Sequence, residues 1–182
     1  MVLQTRYVTD EEFDRFVTLP ENVDRNFEYI AGEIVEVVSN SLSSHFGAKI
    51  LGRISVHAED NHLGRATGAD GGYIVSGEKY IPDAAFISFT RQPKMVRVAY
   101  NPIAPDLAVE VLSPGNDEIE IARKVGNYLA AGTVLWLVDP DKKTVDVYVP
   151  GQPRKTLRVG DFLEGGDVLP GFRLSVASIF SE

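Results

Sequence analysis

The stretch PDLAVEVLSPGNDEIEIARKVGNYLAAGTVLWLVDP, residues 105–140, predicts a strand, a helix and a second strand in succession. Residues 107–112 form an almost continuous apolar run broken by one acid, which is typical of a strand covered on both faces. Asn116 or Asp117 can cap the helix, because a short polar side chain accepts hydrogen bonds from its first N–H groups. Gly132 is a suitable stop. The apolar VLWLV that follows predicts the second buried strand.

The segments on either side alternate between strand-like and helix-like periods. Residues 27–38 are rich in β-branched and aromatic side chains around Gly32, which predicts a hairpin of two strands. Residues 41–56 repeat apolar side chains at three- and four-residue spacing, as in an amphipathic helix. Residues 80–88 predict a strand interrupted by Pro82, which implies an edge, bulge or bend. The other predicted segments are a short helix capped by Thr9, a strand with turns over 64–77, a loop over 90–105, a hairpin partner over 144–149 and a short helix over 176–180.

The composition favours one ordinary globular domain spanning residues 1–182. Hydrophobic residues make up 44% of the chain and cysteine is absent, which excludes disulfide frameworks, thiolate zinc sites and thiol nucleophiles. No apolar run approaches the roughly 20 residues of a membrane span. Residues 1–16 are acidic and lack the apolar stretch of a signal peptide. We therefore expect a soluble, cytoplasmic protein.

The charge balance is acidic. Lys and Arg number 18 against 26 Asp and Glu, a formal net charge of -8. This charge disfavours a sequence-independent grip on nucleic acid, because such a grip depends on neutralising phosphates. Carboxylates held close together can nevertheless be stabilised by a divalent cation. The positions of the acids therefore matter more than their number.

Two acids interrupt strands that are otherwise apolar. Asp83 lies in YIPDAAFIS and Glu110 lies in LAVEVLS. A buried ionised carboxylate is costly unless a cation or hydrogen-bond donors compensate it. If the two strands are neighbours, these acids can lie side by side and hold a hard divalent ion. The alternative is that each acid caps a turn or pairs with an arginine.

Lys124 lies on the helix that follows the Glu110 strand, and its side chain could reach the carboxylate end of that strand. A lysine beside a metal can position a water or neutralise charge that develops on a phosphate. The alternative is a solvated lysine that pairs with Glu120, four residues earlier on the same helix.

A series of motifs extends from residue 27 to residue 148. The motifs are FEYI with Gly32-Glu33, Ser44-His45, Pro82-Asp83, PDLAVEVLSP at 105–114, RKVGNY at 123–128, Ala131-Gly132 and LWLVDP at 135–140. In this order and combination they resemble the Uma-type putative restriction endonuclease family, domain of unknown function 820, which is assigned to the PD-(D/E)xK nuclease superfamily.

The resemblance implies an α+β fold of the restriction endonuclease type, with a central mixed sheet flanked by helices. It implies that Asp83 and Glu110 bind metal, with the backbone carbonyl of Val111 as a third oxygen ligand. The chain departs from the superfamily motif because Leu112 stands two positions after Glu110, where the motif has lysine. In the family this lysine comes from the following helix, and the matching residue here is Lys124.

Two further residues are accessory candidates. Glu33 could extend the acidic cluster, or it could be a strand acid on the solvent face. His45, near the start of a helix, could assist water or phosphate binding, or it could be a capping or surface residue. The sequence leaves both questions open. By contrast, Tyr128 is predicted in the core with its hydroxyl at the rim, while His57 and His62 are predicted in solvent.

The favoured hypothesis is a magnesium- or manganese-dependent endonuclease that hydrolyses DNA phosphodiester bonds. In this hypothesis Asp83 and Glu110 hold the ion, while Lys124 orients the nucleophile or stabilises charge. A homodimer is expected, because cutting both strands of DNA favours two sites. The alternative is a non-catalytic interaction module that retains the nuclease fold without using the metal.

Overall fold

The computed structural model describes residues 7–38 and 40–181. Residues 1–6, part of the segment that lacks a signal peptide pattern, lie outside this range. The helices are α1 (Asp10–Val17), α2 (Ser41–Asp60), α3 (Glu118–Ala130) and α4 (Val176–Ile179). The strands are β1 (Phe27–Ile30), β2 (Glu33–Glu36), β3 (Gly64–Gly68), β4 (Gly72–Val75), β5 (Glu78–Tyr80), β6 (Ala84–Ser88), β7 (Tyr100–Asn101), β8 (Leu107–Val111), β9 (Val134–Asp139), β10 (Thr144–Tyr148), β11 (Lys155–Arg158), β12 (Phe162–Glu164) and β13 (Arg173–Ser175). None of the helices in the described ranges is both long and apolar enough to cross a membrane.

The central sheet has six strands in the order β11-β10-β9-β8-β6-β3. β8 and β9 run parallel, and the other neighbours in this sheet are antiparallel. Parallel neighbours need a crossover connection, and α3, with Asp117 as its N-cap, supplies it. α2 packs on β3, β6 and β8, and α3 packs on β9. The predicted α+β fold with a central mixed sheet flanked by helices is confirmed.

A second sheet has five strands in the order β2-β1-β5-β4-β7. The single interrupted strand predicted over residues 80–88 is wrong, because β5 ends at Tyr80 in this second sheet and β6 begins at Ala84 in the central one. Pro82 lies in the short connection, where its lack of an N–H costs neither ladder a hydrogen bond. Asp83 is therefore placed where the chain passes from one sheet to the other.

α2 covers one face of the central sheet. Asn40 caps the helix, because its side chain accepts hydrogen bonds from the N–H groups of Leu42 and Ser43. The helix runs to Asp60, one turn beyond the predicted end. Its apolar side chains join the main core with residues of the central strands, including Ile50, Ile54, Phe86, Leu107, Trp136 and Val138.

The opposite face of the central sheet packs against the second sheet and α3. The buried side chains on this face include Tyr73, Tyr80, Ala108, Tyr128 and Leu135. Because side chains alternate along a strand, Glu110 shares this face of β8 with Ala108. The strand acid is thus directed toward α3 and the second sheet.

α1 is attached to the second sheet by a buried lysine. Lys79 on β5 is 2% exposed, and its Nζ lies 2.8 Å from the carboxylate of Asp10. The same ammonium also binds Asp14. Phe13, between the two acids in sequence, is fully buried. Charge and apolar contact therefore both hold α1 against the sheet.

Candidate active site

A polar cavity of about 330 Å³ is lined by residues of both sheets, α2 and α3. Its lining includes Glu28 from β1, Asp83 from the β5–β6 connection, Glu110 from β8 and Lys124 from α3. β6 and β8 are neighbours, which is the arrangement that a pair of strand acids requires. The structure thus brings Asp83, Glu110 and Lys124 together in one cavity.

Glu110 is the central acid of this cavity, and its side chain is 12% exposed. Its Oε1 accepts a hydrogen bond of 2.8 Å from the hydroxyl of Tyr128. Burial raises the pKa of Glu110 to about 8, with Glu28 and Asp83 adding to the rise and Lys124 opposing it. Tyr128 is fully buried, so its hydroxyl is not at the rim as predicted but holds the strand acid.

The side chain of Asp83 is hydrogen-bonded to the backbone of the neighbouring strand β8. Its Oδ2 accepts a hydrogen bond of 2.7 Å from the N–H of Val111. Burial raises the pKa of Asp83, while this hydrogen bond and the charge of Lys124 work in the opposite direction. On the other side, a Cβ added to Gly47 of α2 would lie 3.1 Å from the Cβ of Asp83. The glycine therefore lets α2 approach the acid closely.

Lys124 is buried among acids from two strands. Its Nζ lies 2.6 Å from Oε2 of Glu28 and 3.9 Å from Oε1 of Glu110. Burial favours the neutral amine, but the charges of Glu110 and Glu28 outweigh it, and the pKa of Lys124 is raised. The side chain is 10% exposed, so the alternative of a solvated helix lysine is wrong.

Glu28 is the site residue that sequence reasoning missed. It is 3% exposed, and its Oε1 accepts a hydrogen bond of 2.7 Å from the N–H of Ile81. Its other carboxylate oxygen binds Lys124. The signal was present, because Glu28 interrupts the apolar FEYI in the same way that Asp83 and Glu110 interrupt their strands.

The other sequence candidates lie elsewhere. Glu33 is exposed on β2 and lines a separate hollow. His45 is exposed on α2 and does not line the cavity. Leu112, in the usual lysine position, lines a third hollow with Ile121 and Val125. That position therefore does not face the acids, and a lysine there would not take the place of the one on α3.

Comparison with known proteins relates this chain to a protein family and to a solved structure. A sequence model of the Uma2 family, described as a putative restriction endonuclease, matches residues 11–177. The chain belongs to this family. A solved structure, described as a putative nuclease belonging to DUF820 from Anabaena variabilis ATCC 29413, is similar to the chain with a TM-score of 0.80 and 25% identity. The match covers 92% of this chain and 96% of that chain. No curated protein matches the sequence.

Restriction endonuclease-like proteins generally use divalent metal ions, and the cavity supplies the oxygen donors that such ions prefer. Asp83 and Glu110 each accept a protein hydrogen bond at one oxygen, and among the described residues no donor bonds to the second oxygen. Both oxygens of Glu28 are engaged by protein groups. Within residues 7–38 and 40–181, no group of three or more acidic or histidine side chains is arranged to hold an ion. The residues fit a site with two carboxylates, completed by backbone or water oxygens.

Proposed function

We propose that the chain is a divalent-metal-dependent endonuclease that hydrolyses DNA phosphodiester bonds. The observation that carries the proposal is the meeting of Asp83, Glu110 and Lys124 in one cavity. Each comes from a different part of the fold, so packing and not local sequence brings them together. The family match and the similarity to a structure described as a putative nuclease support this class of reaction.

Asp83 and Glu110 are the proposed ligands of a magnesium or manganese ion, with the backbone carbonyl of Val111 as a third oxygen donor. A bound divalent ion polarises the phosphate and makes a water more acidic. The protein's part is to place the two carboxylates in one cavity. Because the pKa of Glu110 is about 8, this acid must release a proton before it can bind a cation.

Lys124 is proposed to stabilise the negative charge that develops on the phosphate. Its raised pKa keeps it protonated at neutral pH, so it can donate hydrogen bonds but cannot act as a general base. Glu28 acts through Lys124 and is a positioning residue. The N–H of Ile81 fixes the Glu28 carboxylate, and the carboxylate in turn fixes the ammonium.

Plasmid cleavage with manganese at low salt, combined with calorimetric metal titration, tests the proposal. Asp83→Asn should lose both metal binding and cleavage. Lys124→Gln should retain metal binding and lose cleavage, because its role is in the transition state. Asp24→Asn, a change at an exposed acid outside the cavity, should behave as the unmodified protein. A folded protein that binds no metal, or binds metal and leaves plasmid intact, would instead indicate an interaction module.

A homodimer is part of the proposal, because cleavage of both DNA strands favours two sites related by twofold symmetry. Light scattering coupled to size exclusion should give a mass twice the 20.0 kDa of one chain. A monomer mass at working concentrations would contradict this part of the proposal and leave the chemistry of the cavity unaffected.

A further inference from the structure

A second hollow, of about 600 Å³, lies between α2 and the C-terminal segment 171–179. Its lining includes Lys49, Arg53 and His57 from α2 and Arg173 from β13, and we call this surface the basic groove. Asp60 is the one acid among the described residues that line it. The groove thus combines three long cationic side chains and His57 with a single acid, although the formal net charge of the chain is -8.

Three of the basic residues follow one line along α2. Lys49, Arg53 and His57 are spaced four residues apart, so their side chains succeed one another on one side of the helix at intervals of about 6 Å. The line is about 12 Å long. Over that length one strand of a DNA duplex presents about three to four phosphates. The spacing therefore suits an extended polyanion better than a single small anion.

The two long cations of α2 differ in how far the protein already engages them. Arg53 is exposed, and no hydrogen bond or ion pair to it occurs among the described residues. Lys49 is partly exposed, and its Nζ binds the backbone carbonyl of Ser181. On the opposite wall, Arg173 lies 3.9 Å from Glu164, which is a long and exposed ion pair. Among the described residues, no carboxylate pairs with Lys49 or Arg53, whereas Arg173 pairs with Glu164 and stacks on the Phe162 ring.

His57 forms part of the groove wall and is not in solvent as predicted. It is half-buried, its Nε2 lies 3.0 Å from the carbonyl oxygen of Pro170, and its ring packs edge-on against Phe172. These contacts join α2 to the C-terminal segment.

The floor of the groove contains a glycine that the fold does not require. Gly52 lies in the middle of α2, between Lys49 and Arg53, and glycine is a poor helix former because it loses the most backbone freedom on folding. A Cβ added there would meet nothing within 4 Å among the described residues. Internal packing therefore does not require glycine at this position, and the missing side chain leaves the helix backbone open to close approach by a partner.

We infer that the basic groove binds the phosphate backbone of duplex DNA. This inference rests on the proposed DNA-cleaving function and supplies the electrostatic hold that the acidic chain otherwise lacks. α2 borders both surfaces, because Ser43 in its first turn lines the acidic cavity while Lys49, Arg53 and His57 line the groove. α2 thus contributes residues both to the proposed DNA-binding groove and to the proposed cleavage site.

Fluorescence anisotropy with a labelled DNA duplex in EDTA, over a salt series, tests the inference without cleavage. Arg53→Gln should weaken binding by roughly fivefold to tenfold at about 0.1 M salt and reduce the salt slope by about one. Arg15→Gln changes an exposed arginine of α1 whose side chain has no hydrogen bond or ion pair within the described part of the chain, and this variant should bind DNA as the unmodified protein does. Equal affinities of these two variants would overturn the inference.

A second pair of variants tests the close approach at the groove floor. Gly52→Gln places a helix-favouring side chain in the groove, so the melting temperature should rise by about 1–3 °C while DNA binding weakens. Gly126 is an exposed glycine within α3, and a Cβ added there would also meet no atom of residues 7–38 or 40–181 within 4 Å. Gly126→Gln should raise the melting temperature equally and leave DNA binding unchanged. Unaltered DNA affinity in Gly52→Gln would contradict the inference.

The groove and the endonuclease proposals fail separately. Weaker DNA binding by Arg53→Gln, together with a protein that never cleaves DNA, supports the groove and refutes the nuclease. Metal-dependent cleavage that Asp83→Asn abolishes, with DNA binding unaffected by Arg53→Gln, supports the nuclease and refutes the groove. Preference for polyglutamate over DNA in a competition experiment would assign the groove to an acidic protein partner and overturn the inference.

Discussion

Replacement of Glu110 by glutamine should remove a pH-dependent cost from the folding of the metal-free protein. Burial, opposed by Lys124, places the pKa of Glu110 at about 8 compared with an ordinary 4.5. Between these values the folded state holds a proton that the unfolded chain releases. The free energy of unfolding therefore falls as pH rises through this window. Glutamine keeps an oxygen that accepts the hydrogen bond of Tyr128 but cannot ionise.

The size of the effect follows from the position of Glu110. Its side chain is 12% exposed, so solvent screening removes little of the interaction. Between pH 4.5 and about pH 8, each pH unit lowers the free energy of unfolding of the unmodified protein by about 1.4 kcal/mol. From about pH 5 to about pH 8, the stability advantage of Glu110→Gln should grow by about 3–4 kcal/mol. Above about pH 8 the advantage should level off, because the acid is then ionised in both states.

Urea denaturation in EDTA, at a series of pH values, measures this difference directly. Subtracting the free energy of unfolding of the unmodified protein at each pH cancels the contributions of the titrating groups that do not interact with Glu110. Glu21→Gln, a change at an exposed glutamate outside the cavity, is the matched control for the substitution. If the Glu110→Gln difference does not change with pH by more than about 0.5 kcal/mol, the acid is not buried in the way described.

Three further outcomes are expected. Manganese at about 100 times its dissociation constant should stabilise the protein by about 2.7 kcal/mol, and Asp83→Asn should abolish this gain in thermal denaturation. Tyr128→Phe should lower the free energy of unfolding by about 1.5–3 kcal/mol at about pH 9, because it removes the donor to the ionised Glu110; a smaller loss in urea denaturation would contradict that hydrogen bond. Gly47→Ala should weaken metal affinity severalfold in calorimetry, because the new Cβ forces Asp83 to move. Unchanged affinity would show that the carboxylate moves at no cost.

The paired strand acids could be predicted because burial makes an acid conspicuous in an apolar run. Asp83 and Glu110 each interrupt such a run, and the pairing of β6 with β8 brings their strands together. Glu28 carries the same signal, yet the choice between Glu28 and Glu33 depends on which part of the hairpin is covered. In the structure Glu28 is buried and Glu33 is exposed beside the turn. The residues that bury Glu28 come from segments distant in sequence, and the local hydrophobic periodicity does not indicate which segments will pack there.

Contacts between residues far apart in sequence also determine two features that the sequence did not indicate: the passage of the chain from one sheet to the other at Pro82, and the direction of the Lys124 side chain. Pro82 predicts an interruption, but the transfer from one sheet to another depends on partners far away in sequence. The helix period places Lys124 equally well beside Glu120 or against the sheet. The packing of α3 decides between the two, and it directs the ammonium to Glu28 and Glu110.

The buried lysine beneath α1 sets a lower limit on the length of a folded chain. Burial by itself lowers the pKa of Lys79, and Asp10 and Asp14 together raise it above the ordinary value. A chain trimmed to begin after α1 would lose both acids together with Phe13, whose ring centroid lies 5.0 Å from Nζ of Lys79. The ammonium and the apolar surface beneath the helix would then be exposed to solvent. The family match begins at residue 11, inside this helix, so expression boundaries chosen from the match alone would remove Asp10. Recombinant versions of the protein should therefore start before Thr9.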